Sequence, residues 1–145
     1  MSAAVPPAAC AETDLAKMLA SLQIDVREGE YVFVSAPHWE ALPRELAQAS
    51  IVEAEGPTCV LRREHADAHG LGYDFVAAWL SLRVHSALQA VGLTAAVAQA
   101  LARHGIACNV LAGYHHDHLL VPTARREDAI AALLALRGDA APAPA

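Results

Sequence analysis

The pattern of apolar and polar positions predicts a chain that alternates short helices with short strands. Near the start, leucine and methionine recur at every third or fourth position, which predicts an amphipathic helix over 14–22 with Thr13 as its N-cap. A continuous β-branched and aromatic run then predicts an interior strand over 31–34, after a turn at 28–30 that contains Gly29. The helix has one apolar stripe, which we expect to pack against a core.

The next part of the chain is less regular. Residues 38–50 lack a clear period and contain a proline, so we expect a loop there with at most one helical turn. Two strand-like runs, 50–54 and 58–61, flank a Gly-Pro turn and predict a β-hairpin. A short helix over 64–69, ended by Gly70, is expected to follow the hairpin.

The second part of the chain begins with a long apolar run. Residues 75–84 predict a buried strand that is long enough to serve both parts of the chain. A helix is predicted over 95–104, with Thr94 as its N-cap and Gly105 directly after its last turn. The glycine makes the end of this helix the better defined of its two boundaries.

A second hairpin and a final helix complete the pattern. Strands are predicted over 106–111 and 119–121, around a turn at 113–116. Thr123 is expected to cap the last helix. The apolar residues predicted for the core face of that helix are Ile130, Leu133 and Leu134.

The order of predicted elements is approximately repeated. The second part reads β-α-β-β-α, and the first part reads the same with a loop in place of its first helix. This order predicts an α+β fold of two ferredoxin-like (βαββαβ) halves, in which antiparallel strands carry helices on one face. We expect the halves to span 13–76 and 77–137, with elements exchanged between them, and Ala/Pro-rich tails over 1–12 and 138–145 to be disordered.

Composition excludes several classes of partner. The 145 residues include only ten Lys and Arg and carry a net charge of −6, so no basic face for nucleic acid is expected. No apolar run reaches the roughly 18–20 residues that a membrane-spanning helix needs. The three cysteines lack CxxC spacing, which fits a cytoplasmic protein, and Cys59 and Cys108 are interpreted as structural thiols. The partners that stay open are small molecules and other proteins.

One segment resembles a known family. It contains Gly92-Leu93, then Val97 and Ala100-Leu101 on a predicted helix, then Gly105-Ile106 and Asn109 before a hairpin. This pattern resembles the ACT domain, and the whole chain is similar in layout to small bacterial proteins with two tandem ACT-like halves and to the regulatory regions of aspartokinases. The resemblance implies a non-enzymatic regulatory module that binds an amino acid or similar zwitterion, works as a homo-oligomer or with a regulated partner protein, and needs no cofactor.

The loop before the second-half helix is the predicted ligand site. A glycine at its end allows close approach of the backbone, and the helix start directs unpaired N–H groups and a partial positive charge at the loop, which suits a carboxylate. Asn109 could add an amide, and Asp117 could meet an ammonium group. The predicted ligand-binding residues are Val91, Gly92, Leu93, Thr94, Asn109 and Asp117.

Two alternatives stay open from the sequence. The halves could serve only for protein interaction or oligomerisation, by continuing a sheet at its edge. The run His115-His116-Asp117-His118 could bind a metal, with His85 as a further ligand, although we assign no metal ligand here. No phosphate loop, nucleophile elbow or HExxH motif is present, and no catalytic residue is predicted. Trp39, in the irregular loop, could cover a ligand.

Overall fold

The computed structural model describes residues 15–35, 44–84 and 91–139. Helix α1 is described over 15–20, and short 3-10 turns lie at Arg44–Leu46 and Thr123–Arg125. The other helices are α2 (Arg63–Ala68), α3 (Leu93–Arg103) and α4 (Arg126–Asp139). The strands are β1 (Gln23–Ser35), β2 (Ala49–Glu53), β3 (Gly56–Arg62), β4 (Val76–Arg83), β5 (Asn109–Ala112) and β6 (Asp117–Pro122).

The six strands form one antiparallel sheet in the order β2-β3-β1-β4-β6-β5. The two central strands, β1 and β4, are shared between the halves. Residues 23–27 of β1 pair with residues 79–83 of β4 and so close the sheet of the second half. Further along β1, residues 31–35 pair with β3, and Tyr31 and Val32 pair with the start of β4. Each half therefore has the ferredoxin-like strand order, and the predicted fold class and exchange of elements are confirmed.

The predicted turn at 28–30 is wrong. β1 runs through it without reversing, and the register against β4 shifts between Arg27 and Tyr31. Gly29 has a φ of +93° within this irregularity, so the glycine marks a bulge in a long strand. The bulge divides β1 into the part that serves the second half and the part that serves the first.

The helices cover one face of the sheet, but unequally. On the second half, α1, α3 and α4 pack against β4 and β6, and residues such as Leu80, Leu101 and Leu133 are fully buried between them. On the first half, Ala66 of α2 packs on a smaller buried group with Leu61 of β3. The opposite face carries a third buried group: Tyr31, Val60, Ala77, Trp79 and Leu120.

The helix ends predicted from glycine are confirmed. After α3, the N–H groups of Gly105 and Ile106 donate to carbonyls of the last turn at 2.9 and 3.0 Å, and the same pair of bonds follows α2 at Gly70 and Leu71, at 3.1 and 2.9 Å. Both glycines have a φ near +65°. This is the Schellman arrangement, in which a left-handed residue lets the chain satisfy the last carbonyls of the helix.

The predicted N-caps in the second half are wrong. Gly92, not Thr94, precedes the first residue of α3, so Thr94 lies inside the helix. Thr123 lies inside a 3-10 turn that leads into α4 and makes no capping bond, and its buried hydroxyl has no hydrogen-bond partner. α3 begins at Leu93, two residues earlier than predicted, whereas Thr123 lies in a 3-10 turn before α4, which begins at Arg126.

Several boundaries also differ. β5 begins at Asn109, three residues later than predicted, and the first hairpin turns at residues 54–55 rather than at the Gly-Pro pair. Of the apolar residues predicted for α4, Leu133 is buried but Leu134 is 39% exposed. α4 continues to Asp139, two residues into the predicted C-terminal tail.

Some predictions fall outside the described residues. These concern both ends of the chain, the cap of α1, Trp39 and His85. Within the described residues, no helix is long and apolar enough to cross a membrane.

Candidate functional site

The start of α3 is the centre of the predicted ligand site. Gly92 occupies the N-cap position with φ +101°, and its carbonyl accepts the first helical hydrogen bond from Ala96 N–H at 2.9 Å. The preceding N–H groups, from residue 92 to residue 95, have no carbonyl within the helix to reach and point out of its end. Val91, directly before them, is 78% exposed. The geometry offers a row of backbone donors with the positive end of the helix dipole behind it.

The conformation of Gly92 is fixed by its neighbours. A Cβ atom at this position would lie 2.9 Å from Cδ2 of Leu15, which belongs to α1. On the other side of the loop, Leu93 is buried in the second-half core. Since L-residues rarely adopt this φ and the space is already filled, only glycine fits without rearrangement. Gly92 and Leu93 are thus held between α1 and the core.

Asn109 and Asp117 do not converge on this loop from one face. Asn109 lies opposite Leu120, on the face away from the helices, and its amide is 3.5 Å from the carbonyl of that residue. Asp117 lies opposite Ala112 at the hairpin end, one position before His118. Because successive strand residues alternate between faces, Asp117 has the parity of the helix-covered face. Val91 to Thr94 are contiguous in the structure, and Asn109 is separate from them.

His118 belongs to a cluster that was not predicted. Its Nδ1 atom lies 3.1 Å from Nε1 of Trp79 and 2.7 Å from Oγ of Ser81, across the pairing of β6 with β4. The guanidinium of Arg27 lies 4.0 Å from the centre of the Trp79 ring and also donates to Gln48 Oε1 at 3.3 Å. The guanidinium lies over the face of the indole ring, as in a cation–π contact.

This geometry decides the tautomer of His118 and argues against a metal. An indole N–H can only donate, so Nδ1 must accept and the neutral ring carries its proton on Nε2. Ligation through Nε2 would require the opposite tautomer. Among the residues that the structure describes, no three His, Cys, Asp or Glu side chains come together as a metal site.

A charged groove lies at the bulge of β1. Its volume is about 460 Å³, and Arg63 holds its wall by donating to Glu30 at 3.3 Å and to the Tyr73 hydroxyl at 2.9 Å. Tyr73 in turn donates to Asp67 at 2.6 Å. The groove is lined by Glu28, Gly29, Glu30, Arg62, Arg63, Glu64 and Asp67. Its ion-paired side chains are 37–66% exposed, so solvent weakens every charge in it.

The two described cysteines fit the structural interpretation. Cys59 is buried on β3, and burial raises the pKa of its thiol against the opposing effect of Arg44. Burial also raises the pKa of the half-buried Cys108 thiol. A thiol with a raised pKa holds little of the reactive thiolate at neutral pH.

The exchanged central strands and the single helix-covered face define a tandem ferredoxin-like α+β protein. Comparison of the sequence with family models then identifies the halves. The chain belongs to the ACT domain family: one ACT domain model matches residues 10–78 and a second matches residues 75–135. The resemblance inferred from the Gly92 segment is confirmed, and the family supports a regulatory module.

Solved structures agree with this assignment. A protein of unknown function from Vibrio cholerae, described as a possible transport protein, is 38% identical, with a TM-score of 0.79 over 88% of this chain and 98% of its own. A protein from Agobacterium tumefaciens is 18% identical, with a TM-score of 0.63 over 80% and 89%. The ligand-free regulatory subunit of aspartate kinase from Thermus thermophilus is 12% identical, with a TM-score of 0.60 over 79% and 97%. At these last two identities the likeness concerns the fold alone. No curated protein matches the sequence.

Proposed function

We propose that this protein is a non-enzymatic ACT-type sensor that binds an amino acid or similar zwitterion at the start of α3. The observation that carries the proposal is the row of outward-pointing N–H groups from residue 92 to residue 95, in a segment that lies beside Leu15 and enters the core through Leu93. A carboxylate is the natural occupant, because it complements both the donors and the helix dipole. Membership of the ACT family and the matches to regulatory ACT folds support the same function.

The ligand's ammonium group would need its own partner. Asp117, at the start of β6, is the candidate from this chain. Asp117 lies on the helix-covered face of the sheet, as α3 does, whereas Asn109 lies on the opposite face. This supports Asp117 as the partner of the ammonium group, without Asn109. In this proposal Val91 to Thr94 and Asp117 bind the ligand, the protein works in the cytoplasm, and the signal passes to a separate regulated protein.

Thermal shift with the twenty amino acids tests the proposal. A ligand present at 100 times its Kd adds about 2.7 kcal/mol of stability, which is easily seen as a rise in Tm. If none of the amino acids raises Tm, the sensor function is wrong.

A matched pair of variants then locates the site. Val91→Asp places a carboxylate beside the N–H donors. The new carboxylate interacts favourably with the helix dipole but repels a ligand carboxylate, so we expect the Kd of the ligand to rise about tenfold or more. Val91→Thr keeps the size and adds no charge, and should leave Kd unchanged. If the two variants bind the ligand with equal affinity, the ligand site does not lie at this loop.

A second candidate function, an interaction module, is favoured by the outer strand of the first half. β2 is an edge of the described sheet, and Ile51 and Val52 on it are 51% and 74% exposed. Exposed apolar residues on an unpaired edge favour pairing with another chain. If β2 forms such an interface, Val52→Lys should shift sedimentation toward the monomer, whereas Val110→Lys on the opposite edge strand should not. A monomeric parent protein would contradict this function.

A further inference from the structure

The β5–β6 hairpin is attached to the sheet on one side only. β6 pairs with β4 over five residue positions, while β5 is the outermost strand and pairs with β6. His118 adds a side-chain link to this attachment, since Nδ1 lies between Trp79 Nε1 and Ser81 Oγ of β4. Trp79 is 2% exposed, so its indole N–H has no ready access to water as a replacement partner.

We propose that His118 is an acid-sensitive latch that holds the β5–β6 hairpin against β4. The neutral ring accepts from Trp79 through the lone pair of Nδ1. A protonated imidazole carries N–H groups on both nitrogens and has no lone pair left to accept. Protonation therefore sets the new Nδ1–H against the indole N–H and leaves that buried indole N–H without an acceptor, while the Ser81 hydroxyl can still accept from Nδ1. Loss of the Trp79 link loosens the hairpin from its neighbour strand.

The charged groups around His118 come from several elements. Arg27 of β1 stacks on the same indole, and His116 of the hairpin lies 6.5 Å away between ring centres. Asp117 is adjacent in β6, and the Asp25–Arg83 ion pair, at 3.4 Å, flanks Ser81 on the same face. Burial is the largest cause that lowers the pKa of His118 below 6.5, and Arg27 and His116 act in the same direction, against Asp117. The neighbourhood thus keeps the ring neutral at physiological pH.

The sign of the pH effect follows from this shift. An unfolded chain takes up the proton near pH 6.5, while the folded chain resists it until a lower pH. The unfolded state consequently binds more protons in that interval, and stability falls as the pH drops from about 6.5 toward the folded pKa. Below the folded pKa, this group adds no further loss.

Trp79 fluorescence reports the state of the latch. The chain has two tryptophans, so Trp39→Phe leaves Trp79 as the single reporter. In the Trp39→Phe variant, acrylamide quenching of Trp79 should increase severalfold between pH 7.5 and 4.5, with a midpoint below pH 6.5. His118→Gln, whose amide oxygen can accept but does not titrate, should remove the transition. His116→Gln is the control: it should keep the transition and move its midpoint upward, since one positive neighbour is lost.

Two fluorescence results would overturn the latch. One is a transition that persists unchanged in His118→Gln, and the other is quenching that stays constant with pH in the parent. Histidine nitrogen NMR of the unsubstituted protein gives an independent check that no folding defect can obscure. At pH 7.5 the proton should be on Nε2 of His118, and a proton on Nδ1 would contradict the proposal directly.

Discussion

The two halves of this protein share a sheet but carry unequal helix layers. In the second half, seventeen described residues of α1, α3, α4, their strands and the adjoining connections form one buried group, whereas the group under α2 in the first half has five described residues. α2 has six residues, against eleven in α3 and fourteen in α4. A repeated strand order therefore does not require a repeated core. Because β1 and β4 run through both halves, the larger core also supports the strands on which the smaller one is built.

The largest expected difference concerns the two cores. Leu133→Ala removes a fully buried side chain from the larger group and should cost about 3–5 kcal/mol in the free energy of unfolding. Leu61→Ala removes an equally buried side chain from the smaller group, which can close around the gap more easily, and should cost about 2–3 kcal/mol. Urea unfolding measures both. A larger cost for Leu61→Ala would reverse the comparison.

The next effect concerns the loop that the larger core positions. Gly92→Ala should cost about 2 kcal/mol, because the residue has φ +101° and its Cβ would meet Leu15 at 2.9 Å. Leu15→Ala in the same chain should recover part of this cost by removing the obstructing methyl groups. A double-mutant cycle measured by urea unfolding should give a coupling above about 0.5 kcal/mol. Additive effects would mean that Leu15 does not constrain the loop.

A smaller effect tests whether the halves unfold together. Gly70 and Gly105 end α2 and α3 in the same way, and a Cβ at either would meet nothing within 4 Å. Each change to alanine should therefore cost about 1 kcal/mol, the strain of a left-handed residue alone. With β1 and β4 shared, both variants should show a single transition shifted by the same amount. Two separate transitions, each moved by one variant, would show independent halves.

The smallest effect concerns an ion pair on the shared strands. Arg83 and Asp25 are 3.4 Å apart, but their side chains are 57% and 58% exposed. Arg83→Gln should change the unfolding free energy by about 0–1 kcal/mol, and the difference should vanish in about 1 M salt. Urea unfolding at low and high salt checks this. A cost that survives high salt would assign Arg83 a role beyond the pair.

Local signals predicted much of this fold. Glycine after a helical run marked the ends of α2 and α3, because the left-handed residue is a local requirement. The long apolar run over β4 also indicated a strand shared by both halves. The turn predicted at Gly29 is wrong because a glycine permits either a turn or a bulge. Which of the two forms depends on the pairing of β4 with β1, which the local sequence does not show. The N-cap predicted at Thr94 is wrong because α3 begins at Leu93, directly after the left-handed Gly92, and the packing of Gly92 beside Leu15 of α1 is a tertiary feature.

The site was less accessible to sequence reasoning. The loop from Val91 to Thr94 could be located because a glycine, a helix start and a family pattern coincide there. The partners of His118 lie 37 and 39 residues earlier in the chain, at Ser81 and Trp79, and only the register of β4 against β6 brings them together. The histidine-rich run suggested a metal site, whereas its last residue, His118, accepts a hydrogen bond from Trp79 within the sheet.

The most direct test of the proposed function is amide NMR of the ¹⁵N-labelled protein during titration with the amino acid that raises Tm most. Binding at the second-half loop predicts the largest shift changes from Val91 to Ala96, with a smaller response at Asp117. The charged groove of the first half, lined by residues 28–30, 62–64 and 67, should stay unchanged. Shift changes centred on that groove, or no saturable change with any amino acid, would contradict a ligand site at the start of α3.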